Sequence, residues 1–196
     1  MSKTIKQRAS ELLCGCSRQV ISAAGRFRRD KSGMAAIEFA FVFPFMLIMY
    51  FGVVDIADLL SANRKVTLAA SSLGDLVAQA PGTLTPSDLA GLYNAIGPVM
   101  SPIPASSVKI NILTYKKTGT TATLRWDHDQ NGICSGMSLP SNMASMMADG
   151  NDLVVARVCV SYQPITGNVI GAGPFLLSDQ FVLRPRESPT LLCSAC

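Results

Sequence analysis

The sequence predicts an α+β protein: a long N-terminal helix that crosses a membrane and runs on into a small domain built on an antiparallel sheet. Three observations carry that expectation. Met34 to Val54 is an apolar run of 21 residues whose one charge is Glu38. The proline-free stretch from Asp55 to Ala80 continues at helical spacing, and beyond Val108 the pattern changes to strands separated by Gly, Pro and Asn-rich turns.

The charge is divided unevenly along the 196 residues. Residues 1–33 hold eight Lys or Arg against Glu11 and Asp30, whereas residues 34–196 hold nine basic and eleven acidic side chains, a net −2. The overall +4 therefore describes no single domain. Nucleic acid is excluded as the partner of the basic leader because the apolar run follows it directly.

A helix over residues 34–54 is about 31 Å long, close to the hydrocarbon thickness of a bilayer. A secretory signal has an apolar core of roughly 7–15 residues and a small-residue cleavage site. This run is longer, and Asp55, Asp58, Asn63 and Arg64 follow it without an A-x-A signal. The lipid bilayer is thus the first partner. Arg26, Arg28, Arg29 and Lys31 precede the run and hold the N-terminus in the cytoplasm, so the rest lies outside an inner membrane, in the periplasm. Pro44 removes one helical hydrogen bond and is expected to bend the helix. Glu38 lies near the cytoplasmic end, where its cost in lipid is reduced. The boundaries read as a basic leader over 1–33, a membrane helix over 34–54, its extension over 55–80, and an extracytoplasmic α+β domain over 81–196.

Within the extension, Leu59, Leu60, Val66, Ala69, Ala70, Leu73, Leu76 and Val77 form an apolar face expected to pack on the domain's own sheet. Pro81-Gly82 ends the helix, and Thr85 or Ser87 caps a short helix through Tyr93 and Ile96. Gly97-Pro98, Pro102 and Pro104 mark a loop. Val108–Tyr115 and Thr120–Trp126 read as a hairpin, Leu153–Tyr162 as a central strand, and Phe181–Leu183 as a short last strand.

The cysteines divide by compartment. Cys14 and Cys16 lie in the leader and are expected to stay reduced; Cys134, Cys159, Cys193 and Cys196 lie where disulfides form. Four cysteines allow three pairings. Cys134–Cys159 is favoured because it ties the long 127–151 segment to the central strand. Cys193-Ser-Ala-Cys196 reads as a local clasp or a bond to the body of the domain, since it lacks the βαβ context of a redox motif.

The segment Asp127-His-Asp-Gln-Asn-Gly132 resembles the first half of a calcium loop, with Asp127, Asp129 and Asn131 as weak candidate ligands. Ser138 stands where the bidentate Glu belongs, so a polar turn is the expectation. Gly132-Ile-Cys-Ser-Gly136 has the outline of a cysteine nucleophile elbow, but the sole histidine, His128, lies in the same segment and no strand-to-helix turn surrounds it. No phosphate loop, dinucleotide motif or zinc motif occurs. The chain is therefore expected to be no enzyme and to need no cofactor.

The segment Lys31-Ser-Gly-Met-Ala-Ala-Ile-Glu-Phe-Ala-Phe-Val-Phe-Pro-Phe resembles a type IV prepilin processing site. More closely, it resembles the TadE-like proteins of the tight-adherence (Flp pilus) system, through Gly33, Ala35, Ala36, Ile37, Glu38, Phe39, Ala40, Pro44, Gly52 and Asp55, with Arg64 beyond. The resemblance covers residues 28–70. It implies a pilin-like architecture and cleavage after Gly33 by a prepilin peptidase, leaving Met34 as the new N-terminus. Glu38, followed by Phe39, would then pair with the amino group of Met34 in a neighbouring subunit or assist the peptidase. The implied function is that of a minor pilin or pseudopilin working with other pilus-assembly membrane subunits. Two other classes stay open: an unprocessed single-pass envelope protein with a periplasmic ligand- or partner-binding domain, and a secreted thiol enzyme.

Overall fold

The computed structural model describes residues 32–167, 171, 173–194 and 196. Residues 1–31 of the leader, with its arginines and with Cys14 and Cys16, lie outside the described residues. The chain divides into two compact units, Met1–Tyr50 and Phe51–Cys196.

Helix α1, Ser32–Ala78, passes through both units and includes Pro44. In the first unit it is exposed at every described side chain from Gly33 to Tyr50. In the second, the face anticipated from spacing is divided. Val66, Ala69, Ala70, Leu73 and Val77 are buried, Leu59 is half-buried, and Leu60 and Leu76 face outward. The buried row packs with Ile110, Ile112, Val154, Ala156 and Val158 of the sheet, and Gly74 allows the close approach. A Cβ at Gly74 would collide with Leu183 Cδ1 and touch Ala156.

Strand β1 (Thr83–Leu84) leads into helix α2, Pro86–Met100. Thr85 caps α2: its hydroxyl accepts the Asp88 N–H at 3.3 Å while the Asp88 carboxylate accepts the Thr85 N–H at 2.9 Å. The expected break at Gly97-Pro98 does not occur. Ile96 and Met100 are both buried in the core, and that packing carries the helix two residues past its proline.

Four antiparallel strands follow in the order β3-β2-β4-β5: β2 Val108–Thr118, β3 Thr121–Gln130, β4 Asp152–Tyr162 and β5 Phe175–Leu183. The hairpin β2–β3 is longer than its apolar pattern suggested. It closes through Gly119-Thr120, where Gly119 takes φ 64°, as the first position of a tight two-residue turn requires. Strand β5 is nine residues rather than three, because its polar centre is partnered. Asp179 accepts the Thr67 hydroxyl at 2.6 Å, and Gln180 accepts Arg157 Nε at 3.1 Å.

Strand β4 is buried without interruption from Asp152 to Val160. One face meets α1. The other lies under residues 131–151, whose Met143 and Met147 pack with Tyr115, Leu153 and Val155. Because both faces are covered, burial does not alternate along the strand, and even Arg157 is buried. The C-terminal segment closes the domain. Arg186 N–H reaches the Ala78 carbonyl at 2.7 Å, and β6 (Leu192–Cys193) pairs in parallel with β1. Two-residue strands carry no periodicity, so this pair was not legible in the sequence.

Candidate assembly helix and its anchor

The residues singled out from the sequence lie on the first turns of α1. Gly33, Met34, Glu38 and Phe39 are all helical and exposed, and a Cβ on Gly33 would meet nothing within 4 Å. Phe39 and Phe43 meet one turn apart with ring centroids at 5.2 Å and their planes tilted by 33°. Phe41, Phe45, Met46 and Met49 add to an apolar surface that no described residue covers. By length and composition Gly33–Ala78 contains a span apolar enough to cross a bilayer, and its most apolar window is wholly exposed. A helix apolar all round and left uncovered is suited to lipid or to neighbouring helices.

Directly after this run stands Asp55, only 6% exposed. Its carboxylate accepts the backbone N–H of Ile165 at 2.9 Å, the backbone N–H of Thr166 at 2.8 Å, and the Thr166 hydroxyl. The Thr166 hydroxyl first, then these two amides, hold the Asp55 carboxyl below its ordinary range against the opposing effect of burial. Tyr162 lies nearby, its phenol pushed up by burial and then by the charges of Asp58 and Asp55. Farther along, Lys65 Nζ donates to the Ser101 carbonyl at 2.6 Å, while Arg64 is exposed.

Residues 33–73 match the family model of TadE-like proteins. The TadE-like segment thus begins at Gly33, contains the whole apolar run, and ends on the buried row of α1 that anchors the sheet. The chain has no match among curated proteins or solved structures.

Outside the TadE-like segment, Cys134 and Cys159 are joined, with Cα atoms 5.8 Å apart, and Cys193 is joined to Cys196. The Cys134 sulfur is therefore not a free nucleophile, and His128 is engaged elsewhere: its Nδ1 shares a 2.6 Å hydrogen bond with the Tyr93 hydroxyl, and the two rings stack. Burial first and the Asp129 charge second push the Tyr93 phenol up to about 12.

The polar turn expected at 127–132 is instead the end of β3. Asp127 and Asp129 stand about 6.7 Å apart along an extended strand, opposite Leu113 and Asn111, so the backbone does not wrap them around a common centre. The Asn131 amide donates to the Ala105 and Val108 carbonyls at 3.0 and 2.8 Å, with the residue at φ 59°. Among the described residues no cluster of three or more His, Cys, Asp or Glu side chains is placed to hold a metal ion.

Sequence reasoning missed Asp152. Its fully buried carboxylate accepts Arg125 Nη2 at 2.9 Å and the Leu191 N–H at 2.8 Å, while Trp126 Nε1 donates to the Leu191 carbonyl at 2.8 Å. Arg125 is the extra residue of a β-bulge opposite Thr114 and Tyr115. No local signal marked it, since an acid at the head of a strand reads alike whether it is solvated or buried with partners.

Proposed function

We propose that this protein is an inner-membrane component of tight-adherence (Flp) pilus biogenesis, a minor pilin or pseudopilin whose leader is removed after Gly33 by a prepilin peptidase. The observation that carries the reading is the uncovered apolar helix with its single acid, Glu38, inside the TadE-like match. In this reading residues 34–54 span the bilayer with the N-terminus cytoplasmic, and the sheet domain is periplasmic.

Cleavage creates a new ammonium at Met34. A carboxylate and an ammonium in low dielectric compensate each other, while either alone is costly. Glu38 of one subunit therefore seeks the Met34 amine of a neighbour. Phe39, Phe41, Phe43 and Phe45, with the small residues Ala35, Ala36 and Ala40, supply the packing that holds helices together where lipid offers no hydrophobic drive. The role is assembly, not catalysis: the cysteine that most resembled a nucleophile is tied in a disulfide.

The test is the mass of C-terminally tagged protein in cells with and without their prepilin peptidase, alongside Gly33→Leu. The open surroundings of Gly33 make that substitution harmless to the fold. The expected result is peptidase-dependent loss of residues 1–33, blocked by Gly33→Leu. Full-length protein in every strain would replace this reading with a permanently anchored envelope protein.

A further inference from the structure

The end of the sheet domain beside Asp55 carries apolar side chains that the fold leaves in water. Ile165 is 64% exposed, Leu176 53% and Phe175 44%. They belong to one place, because Tyr162 pairs with Phe175 and Ser161 with Leu176 at the end of the β4–β5 ladder. Ile165 follows three residues after β4 and gives its N–H to Asp55. Val53 and Ile56, which flank Asp55 on α1, are exposed as well. Isolated exposed aliphatics are ordinary, but a cluster of them gathered at one end of a small domain marks a surface that meets something apolar.

Asp55 says what that is. It is the first residue after the apolar run, so its carboxylate sits where α1 leaves the hydrocarbon, and the three hydrogen bonds it accepts hold the Ile165–Thr166 backbone at that level. The amphipathic Tyr162 stands at the same end, suited to the headgroup region. The opposite end of the sheet, some 33 Å away along β4, presents Lys116, Thr121 and Thr123 around one exposed aliphatic, Leu124. We infer that the β4–β5 end of the domain, through Ile165, Phe175 and Leu176, seats on the outer surface of the bilayer that residues 34–54 span. Asp55 is the strap that keeps it there. This seat gives the domain a second membrane contact and a preferred tilt, and it rests on the spanning reading proposed above.

The experiment places one added tryptophan at a time in the full-length protein: Leu176→Trp, Ile165→Trp, Phe45→Trp within the span, and Thr123→Trp at the far end. Each is reconstituted in phosphatidylethanolamine–phosphatidylglycerol vesicles, with or without lipid brominated high in its acyl chains, and the emission of the unsubstituted protein, from Trp126, is subtracted. The expected result is blue-shifted emission at 176 and 165, lost with brominated lipid, and unquenched emission at 123. Quenching at 45 but at neither 176 nor 165 overturns the seat and leaves the span standing. Absence of quenching at 45 overturns both. A blue shift at 176 that rises with protein-to-lipid ratio and ignores bromine overturns it in favour of a second copy as the occupant.

Discussion

Asp55 on α1 and Thr166 after β4 are joined twice, by the Thr166 backbone N–H at 2.8 Å and by its hydroxyl, across 111 residues of chain. The pair fastens the β4–β5 end of the sheet to the helix at the residue where the apolar run stops. Because the bonds hold the Asp55 carboxyl below its ordinary value, the sign of the linkage is set. The stabilisation is fully present above the unfolded pKa of about 3.9 and is lost as pH falls through the lower folded value. Asp55→Asn should remove that acid dependence and raise the exchange rates of the Ile165 and Thr166 amides at neutral pH, measured by hydrogen exchange. Unchanged protection at those two amides would contradict the strap.

The Cys134–Cys159 bond closes a loop of 25 residues and pins residues 131–151 over β4. Cys134→Ser with Cys159→Ser should lower stability by about 2–4 kcal/mol in a denaturant titration. Proteolysis should then begin between residues 135 and 151, where Met143 and Met147 lose their seat. The Cys193–Cys196 pair closes only three residues at the terminus, so its replacement by serine should change stability far less.

Thr114 is wholly buried, and its hydroxyl has no hydrogen-bond partner. An unmet buried hydroxyl is costly, and valine has nearly the same shape. Thr114→Val should stabilise the protein by about 1 kcal/mol, read as a higher thermal midpoint in detergent micelles.

Asp152 holds two partners that lie far apart in sequence, Arg125 and the Leu191 amide. Asp152→Ala should cost about 2–3 kcal/mol, in the range of hydrogen bonds to a charged group. It should also free the C-terminal segment. Trp126→Phe, which removes the bond to the Leu191 carbonyl and trims a ring packed on the core, should cost about 1–2 kcal/mol. Denaturant midpoints of the two variants test the order.

Glu38 is exposed on α1 and makes no contribution to the sheet core. Glu38→Ala should therefore leave membrane insertion and domain stability intact while abolishing pilus assembly, scored by membrane fractionation and by surface pili. Retained pili would break the proposed pairing with Met34.

Several features were legible in the chain itself because they are set by local physics. The length and purity of the 34–54 run, the basic leader and the i, i+3, i+4 spacing of Val66, Ala69, Ala70, Leu73 and Val77 each need only neighbours in sequence. The cap of α2, read as Thr85 or Ser87, is equally local, and the structure places it at Thr85. What the tertiary structure alone decided depends on distant partners. Helix α2 runs through Pro98 because Met100 is buried, β5 keeps Ser178-Asp179-Gln180 because Thr67 and Arg157 meet them, and Asp152 is tolerated because Arg125 and Leu191 satisfy it. A polar residue in a strand, or an acid at its head, has no local signature that tells a buried, partnered group from a solvated one. Only the fold brings the partner.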